Sequence, residues 1–244
     1  MQSNRPTNQI RRLAGAFTLV EMLVVIAIIS ILMTAGSIGL SGMGGKGVTS
    51  GVASAESLFE EARTTAVGRN VRACVLVAKS LTENPTNDLR QILVAYEETN
   101  TDGTPKNPDS ATPNWVLASR GSLLPEQTYF SSEFSKKDHT AGNGIIDEVD
   151  SARITGVKSA YQGSYYIYEF NAQGISKTPG ASFVIGSGAR NTTKSADANP
   201  PRVTVSAKRD FGGFVVWRNG RTSMFRSPEQ ISDDIKSLKP GDKF

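Results

Sequence analysis

One carboxylate, Glu21, stands inside an otherwise uncharged apolar run, and that position demands a chemical explanation. From Phe17 to Leu40, 24 residues, it is the only charged side chain. A carboxylate facing lipid costs about 3 kcal/mol on insertion scales. Two readings accommodate it. In the first, the side chain reaches up to the headgroups from its place near the start of the run. In the second, a cation is brought to the same depth. A cut just before Phe17 would create a new α-amino group and make Glu21 the fifth residue of the product. In a neighbouring subunit staggered along a helical bundle, that amine would neutralise the carboxylate within the apolar packing.

The remaining reactive side chains are few. His139 is the only histidine and Cys74 the only cysteine. They cannot assemble a zinc cluster without other strong ligands. One cysteine forms no intramolecular disulfide, and Cys74 lies in an apolar run, as a small buried residue does. No Gly-x-Ser-x-Gly elbow presents a nucleophilic serine. Gly44-Gly-Lys-Gly fails as a phosphate loop, because its lysine precedes glycine and the segment before it is apolar and helical. The stretch Asp138–Asp150, read as a twelve-residue calcium loop from His139, offers Asn143, Asp147 and Asp150 as ligands. It puts His139 and Ala141 where the first and third ligands belong, and Asp instead of Glu last. No metal and no cofactor are therefore expected, and those three residues are the only calcium candidates. Lys236, Lys239 and Lys243 form a basic end that reads as solvated, with phosphate contact as the alternative.

The elements that carry these residues begin with the apolar run itself. As a helix it spans about 36 Å, enough to cross a hydrocarbon core of about 30 Å. Arg11 and Arg12 precede it and few basic residues follow closely, so the N-terminus is expected to stay cytoplasmic and the bulk to be exported. An ordinary secretory signal cut near Thr34–Ser37 is the competing reading. The run is long for that, and Glu21 interrupts it. The formal charge is +4, and removing Arg5, Arg11 and Arg12 leaves +1. The basic balance is thus largely an orientation signal and not a nucleic-acid-binding face.

Beyond the run, Gly36–Gly51 holds seven glycines, each costing about 1 kcal/mol in a helix interior, and marks a weak spot. Val48, Val52, Ala55, Phe59, Ala62 and Ala66 then recur at helical spacing, and Gly68 with Asn70 is the expected stop. This stripe should bury against a sheet, a short coiled-coil seam being the alternative. From Arg72 the pattern turns to strands at 73–78, 91–96, 114–118, 165–170 and 202–207, with a hairpin over 214–225 turning at Asn219-Gly220. Alternation in 165–170 and 202–207 predicts sheets with one wet face. The intervals 82–88, 99–113, 131–144 and 192–201 read as loops. The fold class is α+β: a long N-terminal helix, transmembrane then amphipathic, packed on a β-rich, mainly antiparallel head. The segments are 1–16, 17–40 (apolar helix), 41–70 (Gly-rich hinge and amphipathic helix) and 71–244 (head).

Gly15-Ala-Phe-Thr-Leu-Val-Glu-Met-Leu-Val-Val-Ile-Ala-Ile-Ile29 resembles the leader of type IV prepilins and type II secretion pseudopilins. The resemblance implies a pilin-like head and a leader over residues 1–16. It implies cleavage by a prepilin peptidase between Ala16 and Phe17, N-methylation of Phe17, and a role for Glu21 in assembly. The family usually places glycine immediately before the cut; here Ala16 stands there and Gly15 one residue back. Cutting after Gly15 would make Glu21 the sixth residue, so the Ala16–Phe17 bond is preferred. Glu61-Ala-Arg-Thr-Thr-Ala-Val-Gly-Arg-Asn70, Gly121-Ser-Leu-Leu-Pro125, Tyr168-Glu-Phe-Asn-Ala-Gln-Gly174 and Val216-Trp-Arg-Asn-Gly-Arg221 resemble landmarks of the GspH/FimT minor pseudopilins. The implied function is a filament subunit, not an enzyme, serving protein secretion. Its implied partners are the prepilin peptidase, other pilin subunits and an inner-membrane assembly platform. Its implied place is the inner membrane, single-pass, and then a periplasmic or cell-surface filament. A type IV pilus tip module holding DNA or a surface ligand is the alternative.

Overall fold

A computed structural model of the chain describes residues 19–29, 43–107, 110–205 and 210–244. They fall into two units, one holding residues 19–29 and the other Met43–Phe244. In the first unit, residues 19–29 form a helix, α1. Its large apolar side chains are exposed, from 43% at Val25 to 81% at Leu19. Among the described residues no helix is long and apolar enough to cross a membrane. Residues 17, 18 and 30–40 of the apolar run lie outside them.

The second unit is built on helix α2, Met43–Arg69. The predicted stripe is its buried face: Val48, Val52, Ala55, Phe59, Ala62 and Ala66 are each 7% exposed or less. The glycine-rich segment is helical from Met43 onward. Two of its glycines admit close packing there. A Cβ on Gly51 would lie 2.8 Å from Ile185 Cδ1, and one on Gly47 would lie 3.1 Å from Thr128 Oγ1. The helix stops as predicted, by a Schellman cap. Asn70 adopts φ 53°, the Val71 N–H donates to Ala66 O at 3.2 Å, and the Asn70 N–H donates to Val67 O at 3.3 Å.

The helix lies against two sheets. The larger runs in the order β6 (Glu148–Asp150), β8 (Gly163–Phe170), β1 (Ala73–Leu81), β2 (Gln91–Glu97), β3 (Trp115–Leu117), β7 (Ile154–Thr155), with β4 (Ser122–Leu123) also on β2. Its pairs are antiparallel except β3 with β7. The smaller runs β11 (Thr222–Met224), β10 (Phe211–Val216), β9 (Ala181–Ser187), β5 (Thr128–Phe130). Phe59 joins them. Its ring meets Tyr168 at 5.0 Å and Phe170 at 6.3 Å on one side, and Phe183 at 5.5 Å and Phe214 at 4.9 Å on the other.

Two expectations are corrected here. The larger sheet has no wet face along β8: Tyr165, Tyr166, Ile167 and Tyr168 are all buried. Tyr166 and Tyr168 face the α2 core, whereas Tyr165 and Ile167 join Cys74, Leu76, Leu93, Trp115 and Ile154 in a second core. Val149, Val157 and Tyr161 pack on that second core, so the excursion between β6 and β8 is its lid. Alternating polarity along β8 is weak because tyrosine serves either face. Residues 202–205 form no strand; Arg202 bridges only Ala189 and Lys243, and residues 206–209 lie outside the described residues. The hairpin forms as expected, pairing Val216 with Thr222 and turning through Asn219-Gly220, with the Trp217 N–H donating to Arg221 O at 2.8 Å. The Gly220 N–H donates to Trp217 O at 2.9 Å, and Gly220 takes φ 74° while Asn219 does not. The loop is thus three residues closed by a left-handed glycine. Strand β9 is buried throughout and shows no alternation in its sequence.

Candidate functional site

The residues nominated by the sequence divide between the two units. Glu21 lies in α1 on its exposed surface. Gly15, Ala16 and Phe17, on either side of the expected cut, lie outside the described residues.

In the second unit, three of the four head landmarks converge. The turn at Gly174 (φ 71°) and the turn at Gly220 (φ 74°) meet at Arg63 of α2. A Cβ on Gly220 would fall 2.2 Å from Gly174 O and 2.8 Å from Arg63 Cδ, so only glycine fits. The fourth landmark, Leu124-Pro125, packs on the other end of the helix. A Cβ on Gly51 would lie 3.3 Å from Leu124 Cδ2 and 3.4 Å from Pro125 Cδ. The landmarks therefore read as places where strands and turns dock on α2.

Buried ion pairs hold the long loops. Arg72 donates to Glu97 through Nε at 2.8 Å and Nη2 at 2.5 Å, and to Ser110 O through Nη1 at 2.8 Å. The Glu97 hydrogen bond raises the Arg72 pKa against an opposing burial effect. Asp88, within the turn after β1, accepts from the Leu81 N–H at 2.7 Å and the Ala196 N–H at 2.8 Å. It also faces Arg190. Burial pushes the Asp88 carboxyl up and the Arg190 guanidinium down from their ordinary values. Cys74 is fully buried, and burial raises its thiol well above the ordinary value, which leaves it unreactive.

The calcium candidates do not form one ligand set. Asp147 is held by Lys137 Nζ, 2.7 Å from each carboxylate oxygen. Asp150 caps a short 3-10 helix by accepting from the Ala152 N–H at 2.8 Å. Asn143 sits in a tight turn bridged to Asp138. Among the described residues no three His, Cys, Asp or Glu side chains come together to hold a metal. His139, half-buried, clips its loop to the C-terminal region: its Nε2 lies 3.0 Å from Gln230 O and its ring 4.7 Å from that of Phe225. The three lysines of the basic end are exposed, while its last residue is held down. Lys236 lies 3.7 Å from Glu229, and the terminal Phe244 is buried against Phe211.

Residues 11–37 match the prokaryotic N-terminal methylation motif. The chain thus bears a prepilin-type start, with Phe17 and Glu21 inside the matched stretch, ahead of an α+β head. No curated protein matches the sequence. Among solved structures the chain is similar to the type IV minor pilin FimU of Pseudomonas aeruginosa, at 12% identity, 73% coverage of this chain, 87% of that chain and a TM-score of 0.33.

Proposed function

We propose that the protein is a prepilin-type filament subunit, a minor pseudopilin of a type II secretion system. In this reading a prepilin peptidase cuts between Ala16 and Phe17 and methylates the new terminus. Residues 17–40 anchor the subunit in the inner membrane until it joins other subunits on an assembly platform, and the head is exported. The observation that carries this reading is the methylation motif over residues 11–37. The exposed apolar surface of α1 supports it, because a helix apolar on most faces needs lipid or neighbouring helices to cover it. Glu21 then serves assembly, paired with the Phe17 amine of a neighbour. No observation favours the pilus-tip alternative: the three exposed lysines of its basic tail form no cluster beyond an ordinary solvated surface. Expression with and without a prepilin peptidase tests the proposal. Loss of the leader, seen as a mobility shift, should occur only when the peptidase is present. Peptidase-independent trimming would contradict it.

A further inference from the structure

Beside the lid over the second core, the chain bulges away from β2 between two short strands. Strands β3 and β4 both pair with β2, β3 at Ala95–Glu97 and β4 at Gln91–Ile92, and residues 118–121 bulge between them. The bulge is fixed at both ends. The Ala118 N–H donates to Val94 O at 2.8 Å, and Gly121, at φ 66°, sits where a Cβ would be 1.9 Å from Ile92 O. Between this bulge and the chain leaving β7 lies a cavity of about 410 Å³, within the range of small-molecule sites. Leu93, Leu117 and Tyr161, all part of or packed on the second core, supply its apolar lining. Arg120 and Lys158 also line it, and both are exposed. Lys79, Lys106, Lys137, Lys177 and Lys236 each pair with a carboxylate, but among the described residues none pairs with Arg120 or Lys158.

We propose that this cavity binds an organic carboxylate on a short apolar body. The carboxylate sits on Arg120 and Lys158, and the apolar part covers Leu93, Leu117 and Tyr161. The guanidinium fork matches a carboxylate, and the apolar lining disfavours a bare inorganic anion. Two sources carry this chemistry: a free small acid, and the C-terminal carboxylate of a polypeptide ending in an apolar residue. The site is independent of the filament assignment.

Calorimetric titration of the full-length chain in lipid nanodiscs, corrected against empty nanodiscs, tests it. The probes are hexanoate, hexanoamide, and a short peptide ending in leucine with a free carboxylate. Saturable binding of at least one acid is expected, with hexanoamide about tenfold weaker or absent. The double variant Arg120→Ala/Lys158→Ala should weaken acid binding by about tenfold. Both residues are exposed, and an unchanged unfolding temperature will show that the variant folds. Tighter binding of the peptide than of hexanoate identifies a chain terminus as the source, and the reverse identifies a free acid. Absence of binding by both acids, equal binding of hexanoate and its amide, or indifference to the double substitution would overturn the proposal.

Discussion

Asp88 and Arg190, 102 residues apart, form an ion pair in which both side chains are fully excluded from solvent, Nη1 to Oδ2 at 3.4 Å. Arg190 also donates to Pro85 O and, at 3.1 Å, to Lys194 O. The pair therefore ties the turn after β1 to the 190–199 loop. Removing one partner leaves the other charge buried and uncompensated. Arg190→Met is expected to lower stability by about 3 kcal/mol or more in urea unfolding. A loss below about 0.5 kcal/mol, the size of an ordinary surface change, would contradict the role.

Phe59 is the ring on which both sheets close. Phe59→Ala should cost about 3–5 kcal/mol, through lost transfer energy and the cavity left among Tyr168, Phe183 and Phe214. Phe59→Leu should cost distinctly less, because much of the volume is kept. Denaturant midpoints compare the two. Equal losses would mean that the site collapses around either residue and that ring packing is not the source of stability.

Much of this architecture was readable before any coordinate. The stripe from Val48 to Ala66 has one period and one burial partner, so periodicity placed the helix, and Asn70 marked its end. Strand β9 stayed hidden because Ala181–Ser187 is short and buried throughout, leaving no alternation to detect. The dry second face of the larger sheet was hidden for another reason. Its cover comes from Val149, Ile154, Val157 and Tyr161, apolar residues scattered among polar ones. Asp88 and Arg190 gave no local signal, since only the fold brings them together. Arg120 and Lys158 likewise carry no motif; a cavity shared by two loops is a property of topology.

Asp210 provides a test through pH. Burial raises its carboxyl above the ordinary value, and among the described residues Oδ2 has no hydrogen-bond partner. The folded chain thus keeps the proton over a range where the unfolded chain has released it. Stability falls as pH rises through that range, and the cost persists at neutral pH. Asp210→Asn should therefore gain stability over the parent at pH 7, by about 1 kcal/mol. The gain should shrink as pH falls below about 4. A gain independent of pH would place its origin elsewhere.

In the proposed function Glu21 serves assembly and not insertion. Glu21→Ala should leave membrane insertion intact and reduce incorporation into filaments at least about tenfold, the order expected for losing a charge pair in a low-dielectric setting. Fractionation of membranes and sheared filaments reads both quantities. Undiminished incorporation would show that no neighbouring amine depends on Glu21.

Mass spectrometry of the mature N-terminus reaches the central claim most directly. Protein recovered from filaments should begin at Phe17, with the mass of one added methyl group on its amine. Filaments built from chains that keep residues 1–16, or exported chains that begin near Ser37, would contradict the account.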